Sequence, residues 1–152
     1  MLQLVRDPRG VVWSRLKARG RDREAQRPNR SVRWLVIRST LDWILLNLMA
    51  AALLRSTPSG IRLRYEDIAV DPRATLEAVE ALAGLESSTA AASIAAGRPV
   101  NYGHMIGGNP HRLAGDAPVV FDREWATAAP EWVRRLVWGI AGPLARHYGY
   151  QR

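Results

Sequence analysis

An abrupt change from strand to helix within the first ten residues limits the folds that are open to this sequence. Leu2 to Val5 form a short apolar run of the kind found in buried parallel strands. Arg6 ends the run, Asp7 is a good N-cap, and Pro8 is a good first residue of a helix. The pattern predicts a strand followed at once by a helix that reaches about Ala18.

A similar signature returns near the middle of the chain. The segment from Ile61 to Tyr65 alternates apolar and basic residues, which predicts a second strand. Asp71-Pro72 repeats the cap pattern, and Gly84 is a good stop for the helix that follows. Strands that alternate with helices are typical of a parallel α/β sheet. We therefore expect an α/β fold with predominantly helical content.

The remaining segments are predicted from caps, glycines and prolines. We expect Ser31 to cap a long helix that ends near Arg55, and Pro130 to start the last helix, which Gly142-Pro143 could kink. The other predicted segments are a mobile loop over Gly20 to Asn29, a helix over Ser87 to Ala96, and an irregular stretch over Gly97 to Pro118.

The number of strands sets the expected domain organisation. The 152 residues fit one domain. Two strands are too few to form a stable sheet alone, and a parallel pair has two open edges. We therefore expect residues 1–152 to be a single partial domain whose missing strands precede Met1, with self-association through the open sheet edges.

The charge distribution indicates an anionic partner. The net charge is +8, and residues 1–38 contain 11 basic against 3 acidic residues, whereas the rest of the chain is balanced. A phosphorylated cofactor, a nucleic acid or an anionic membrane would fit such a field, and a solvated basic loop over Arg19 to Arg33 explains it equally well. Because the chain has no cysteine and no signal-peptide pattern, we expect a cytoplasmic protein without disulfides.

The stretch from Trp34 to Leu54 is the only apolar segment of membrane length. It contains Arg38, Asp42 and Asn47, and each of these is costly at bilayer depth. We interpret the stretch as a long helix with a broad buried face and predict no integral membrane span. A peripheral membrane protein that uses this stretch is an alternative.

Arg6 and Ser14 are the candidate binding residues. A strand-end arginine beside a capped helix start places a guanidinium next to free backbone N–H groups, a combination that suits phosphate. Ser14 lies two turns into the same helix, where its hydroxyl could reach a phosphate lying along the helix. The alternatives are a surface ion pair for Arg6 and an ordinary surface serine for Ser14.

The run Leu4-Val5-Arg6-Asp7-Pro8-Arg9-Gly10-Val11-Val12-Trp13-Ser14 resembles the 3′-phosphate-binding motif of the sulfotransferases that use 3′-phosphoadenosine 5′-phosphosulfate (PAPS). Arg-Tyr-Glu-Asp at residues 64–67 is similar to the family's next block, and His104-x-Ile-x-Gly-Asn-Pro, Arg112 and Asp122-x-x-Trp125 are similar to its C-terminal segment. The resemblance implies a P-loop-kinase-like parallel sheet. It also implies that Arg6 and Ser14 hold the 3′-phosphate, that Tyr65 flanks the adenine, and that Arg112 closes the site.

The sequence also departs from this family. It has no Gly-x-x-x-x-Gly-Lys-[Ser/Thr] loop for the 5′-phosphosulfate, and its single lysine, Lys17, lies inside a predicted helix. The catalytic residues are expected upstream of Met1, so the resemblance implies an inactive fragment with half of the PAPS site. The implied reaction is sulfo transfer to a hydroxyl or amine of a small-molecule or glycan acceptor, without a metal.

A non-enzymatic basic module that binds anions or nucleic acid is the alternative function. We expect no nucleic-acid partner, because the tryptophans occur in apolar helical settings and not in an exposed stacking row.

Overall fold

A computed structural model of the chain describes residues 1–85, 92–93, 96–98 and 122–152. Within these ranges the fold is mixed α/β and mostly helical. The strands are β1 (Leu2–Val5) and β2 (Ile61–Arg64). The helices are α1 (Pro8–Ala18), α2 (Arg30–Arg55), α3 (Tyr65–Val70), α4 (Pro72–Ala83), α5 (Glu124–Ala128) and α6 (Glu131–His147), with a 3₁₀ helix at Glu24–Gln26.

The predicted parallel pairing of the two strands is confirmed. β1 and β2 form a two-stranded parallel sheet within the described part of the chain, with Leu2 opposite Ile61 and Val5 opposite Arg64. This register places the carboxyl ends of both strands side by side. Arg6 and Tyr65, which follow these ends directly, therefore become neighbours.

Both Asp-Pro signatures begin helices, as predicted. The Oδ1 atom of Asp7 accepts a hydrogen bond from the backbone N–H of Arg9 at 2.8 Å, and Asp71 accepts one from Ala74 at 3.0 Å. These caps satisfy N–H groups that the helix itself leaves without partners. Gly84 ends α4 in the left-handed conformation with φ of 67°, as expected of a glycine at a helix end.

Three details of the prediction differ from the structure. Asn29, and not Ser31, caps α2, because its Oδ1 accepts the N–H of Val32 at 2.8 Å. The segment over Gly20 to Asn29 contains a 3₁₀ helix whose Ala25 is fully buried, so part of it belongs to the core. The second strand ends at Arg64, and Tyr65 is the first residue of α3.

Two apolar clusters form the core. The larger cluster joins α1, the 3₁₀ helix, α2 and α6 around Leu16, Val36 and Val137, none of which is exposed. The second cluster packs Val5 of β1 against Trp43 of α2 and against the C-terminal end of α6. α6 continues through Pro143, which lies inside the helix. α6 therefore anchors the C-terminal end of the chain beside the carboxyl end of β1.

Two predicted segments lie largely outside the described residues. They are the helix over Ser87 to Ala96 and the irregular stretch over Gly97 to Pro118. His104, Asn109 and Arg112 fall within the second segment and are not described.

Candidate functional site

Arg6 lies at the centre of the site, and Tyr65 is its neighbour across the sheet. The Arg6 guanidinium carbon lies 4.7 Å from the centre of the Tyr65 ring, within the range of a cation–π contact. The backbone oxygen of Arg6 accepts a hydrogen bond from the Trp43 indole at 3.0 Å, which fixes the backbone at the end of β1. Two of the four predicted cofactor-binding residues are therefore in contact.

Ser14 lies on the same face of α1 as Gly10, because residues four apart are neighbours on a helix. A Cβ added at Gly10 would lie 3.0 Å from Cδ1 of Trp125 and 3.3 Å from Nε of Arg6, so both side chains pack against this glycine. Ser14 is exposed one turn further along, and its hydroxyl makes no hydrogen bond within the ranges that the structure describes. The hydroxyl is therefore accessible from solvent.

Acidic residues from a distant segment form ion pairs with Arg6 and Lys17. Nη2 of Arg6 donates to Oδ2 of Asp122 at 2.8 Å, and Nζ of Lys17 forms a salt bridge with Glu124. Asp122 also accepts, at 3.1 Å, the backbone N–H of Glu124, which is the first residue of α5. In this structure the guanidinium of Arg6 is thus paired with the carboxylate of Asp122.

The electrostatics of Asp122 agree with this ion pair. Burial acts to raise the pKa of its carboxyl group, but the hydrogen bonds from Arg6 and Glu124 and the positive charges of Arg6 and Lys17 outweigh burial. The pKa of Asp122 consequently lies below its ordinary value. Asp122 is therefore ionised near neutral pH.

Arg9, which is part of the same motif, has a structural role. Its guanidinium carbon lies 4.4 Å from the ring centre of Trp125 and 4.5 Å from that of Trp138. It also donates to both carboxylate oxygens of Asp7, at 3.0 and 2.7 Å. Because Arg9 contacts Asp7 and both rings, it holds α5 and α6 against the start of α1.

Glu66 and Tyr150 support the turn that carries Arg6. Oε1 of Glu66 accepts the backbone N–H of Asp7 at 3.1 Å. The Tyr150 hydroxyl lies 2.7 Å from Oε2 of Glu66 and 3.1 Å from the backbone oxygen of Val5, and its one proton serves one acceptor at a time. Burial, reinforced by the charge of Glu66, raises the pKa of Tyr150 well above its ordinary value, so the phenol stays protonated.

The contact between Glu66 and Tyr150 was not predicted from the sequence. Tyr150 stands 145 residues from Val5 and 84 from Glu66 along the chain. The Arg-Tyr-Glu-Asp pattern formed part of the family resemblance, but it did not indicate that Glu66 meets Tyr150. Asp122 belongs to the Asp122-x-x-Trp125 motif, which did not indicate its contact with Arg6, 116 residues away.

Comparisons with protein-family models, curated proteins and solved structures find no match to this chain. Among the described residues, no group of three or more histidine, cysteine or acidic side chains is arranged to hold a metal ion. The chemistry that the described geometry offers is the binding of an anion at the carboxyl ends of the two strands.

Proposed function

We propose that this chain binds the 3′-phosphate of PAPS through Arg6 and Ser14, as part of a sulfotransferase with a P-loop-kinase-like fold. The observation that carries the proposal is the position of Arg6, which lies over Tyr65 at the carboxyl ends of two parallel strands. Ligands of open α/β sheets bind beside these strand ends. The resemblance of the motif around Arg6 to the sulfotransferases supplies the identity of the ligand.

The donors present suit a phosphate group. Arg6 offers a planar guanidinium that can bind two phosphate oxygens, and Ser14 offers an exposed hydroxyl on the same side of α1. Tyr65 provides an aromatic ring for the adenine at the neighbouring strand end. Arg112 remains a proposed contact from the resemblance alone, since it lies outside the described residues.

These residues hold the nucleotide and do not themselves perform the transfer. PAPS would supply the sulfo group, and a hydroxyl or amine acceptor would receive it. Such a transfer needs cations at the leaving phosphate and a base for the acceptor proton. The sequence contains no matching phosphate loop, and we assign none of the described side chains as the base. We therefore expect binding without turnover.

Calorimetric titration with adenosine 3′,5′-bisphosphate tests the proposed binding. A charge-assisted hydrogen bond contributes about 1.5–3 kcal/mol, so Arg6→Ala should weaken binding by about 10- to 150-fold. Ser14→Ala removes a neutral bond and should weaken it by about 2- to 10-fold.

Arg73→Ala is the matched control, because Arg73 is an exposed arginine on α4 whose ion pair among the described residues is with Glu77. This variant should bind like the unmodified protein. Equal affinity of the Arg6→Ala and Arg73→Ala variants would refute the assignment of the phosphate site.

A basic module that binds nucleic acid remains the alternative function. Trp34 is 64% exposed and lines a groove with Arg30 and Arg33, which contradicts the expectation that this tryptophan has an apolar setting. Among the residues that the structure describes, Trp34 is the one exposed large aromatic side chain and does not form a stacking row, and for this reason we favour the nucleotide. A gel shift with single-stranded oligonucleotides at moderate salt would reveal tight binding if the alternative is correct.

A further inference from the structure

One flank of α2 is apolar and exposed to solvent. Its seven large apolar side chains are each between 51% and 64% exposed; they are Trp34, Leu41, Leu45, Leu46, Leu48, Met49 and Leu53. A helix that is apolar on all sides is normally buried on all sides. The sequence predicted a broad buried face here, whereas the structure buries only the opposite side of the helix.

The opposite side of α2 is held by the protein core. Val36 and Thr40 are completely buried, Trp43 is 3% exposed, and α2 packs on α1, β1 and α6. α2 is long and apolar enough to cross a membrane by length and composition. A spanning helix in this arrangement would carry the folded core into the lipid. The flank can therefore meet a membrane only while the helix lies in the membrane plane.

The charges that border the flank are positive. Arg30 and Arg33 lie beside Trp34 at the start of α2, and Arg38 is exposed within the flank. Asp42, the only acidic residue of α2, is neutralised by Arg15 at 3.2 Å. An apolar surface bordered by arginines complements an anionic bilayer, whereas two copies of the flank would bring like charges together.

We propose that the exposed flank of α2 docks on a membrane that contains anionic phospholipids. The helix is about 39 Å long and lies in the plane of the interface. Leucine side chains enter the boundary between headgroups and acyl chains, and Trp34 lies at the headgroup level, where tryptophan is favoured. The arginines contact lipid phosphates. This proposal is independent of nucleotide binding.

Vesicle flotation tests the docking. The full chain should float with vesicles of about 30% phosphatidylserine in phosphatidylcholine, and Leu45→Asp should lower its partition coefficient at least tenfold. Leu85→Asp is the matched control, because Leu85 is 63% exposed and lies at the end of α4, away from the flank. It should change binding by less than twofold. Arg30→Gln with Arg33→Gln should lower binding by about fivefold per arginine.

Trp34 provides a second readout, since the other five tryptophans are buried or half-buried. Anionic vesicles should shift the fluorescence to shorter wavelength, and Trp34→Phe should abolish the shift. Failure to float, or full binding by Leu45→Asp, would overturn the proposal. A dimer in lipid-free solution that Leu45→Asp dissociates would also overturn it, because the flank would then be an interface between two copies.

Discussion

Replacement of Asp122 by asparagine should strengthen the binding of adenosine 3′,5′-bisphosphate. Oδ2 of Asp122 lies 2.8 Å from Nη2 of Arg6, and a phosphate that binds Arg6 must displace it. The side chains of Arg6 and Asp122 are 23% and 40% exposed, and ion pairs of this kind contribute about 0–1 kcal/mol. Without the competing carboxylate, affinity should rise by up to about fivefold. The loss of repulsion between Asp122 and the phosphate acts in the same direction.

Isothermal titration calorimetry at fixed ionic strength measures this change, since salt screens both the ion pair and the nucleotide. Asp67→Asn is the matched control, because Asp67 is 42% exposed and is held by Arg64 at 2.7 Å. The control should bind like the unmodified protein. If Asp122→Asn binds the nucleotide no more tightly than Asp67→Asn does, Asp122 does not occupy the phosphate position and the reasoning fails.

Three further predictions concern stability, and urea unfolding measures each of them. Tyr150→Phe should lower the free energy of unfolding by about 1–3 kcal/mol, because Oε2 of Glu66 loses its buried donor. Asn29→Ala should lower it by about 1 kcal/mol and Ser31→Ala by clearly less, and the reverse order would contradict the assigned cap. Because the pKa of Asp122 is lowered from its ordinary 3.8, its ion pair stabilises the fold above that pH and is lost as pH falls through the lower folded value. The difference in stability between the unmodified protein and Asp122→Asn should therefore be present at pH 6 and vanish toward pH 2.

The parts of the fold that depend on neighbouring residues were predicted well. Asp7-Pro8 and Asp71-Pro72 begin helices because a cap acts on N–H groups within three residues of itself. Gly84 ends α4 because glycine adopts the left-handed conformation without strain. For Asn29 and Ser31 both residue types can cap a helix, and composition alone could not choose between them.

Apart from the parallel pairing of the two strands, the contacts between distant segments were not predicted. The carboxylate of Asp122 reaches Arg6 from 116 residues away, and no local pattern indicates this pairing. Tyr150 closes on Glu66 because α6 ends beside β1, which follows from the packing of the whole core. The exposure of the apolar flank of α2 was also not predicted. An apolar pattern indicates that a helix face can be buried, but it does not indicate which surface packs on that face.

The position of Arg6 at the end of the first strand was predicted both from the residue pattern and from the family resemblance. The parallel register also brings Arg6 to Tyr65, a contact that was not predicted. The alternative interpretation of Arg6, as a member of a surface ion pair, is also observed, because Arg6 pairs with Asp122. The two outcomes are compatible, because a weak ion pair can hold an arginine in place until a stronger anion displaces it.

The most direct test of the central claim combines a protein variant with a ligand variant. The affinities of the unmodified protein and of Arg6→Ala are measured for adenosine 3′,5′-bisphosphate and for adenosine 5′-monophosphate, which lacks the 3′-phosphate. If Arg6 holds the 3′-phosphate, loss of this phosphate from the ligand should weaken binding to the unmodified protein by about tenfold or more. The same loss should change binding to the Arg6→Ala variant little. An equal loss in both proteins would show that Arg6 and the 3′-phosphate do not interact, and would contradict the account.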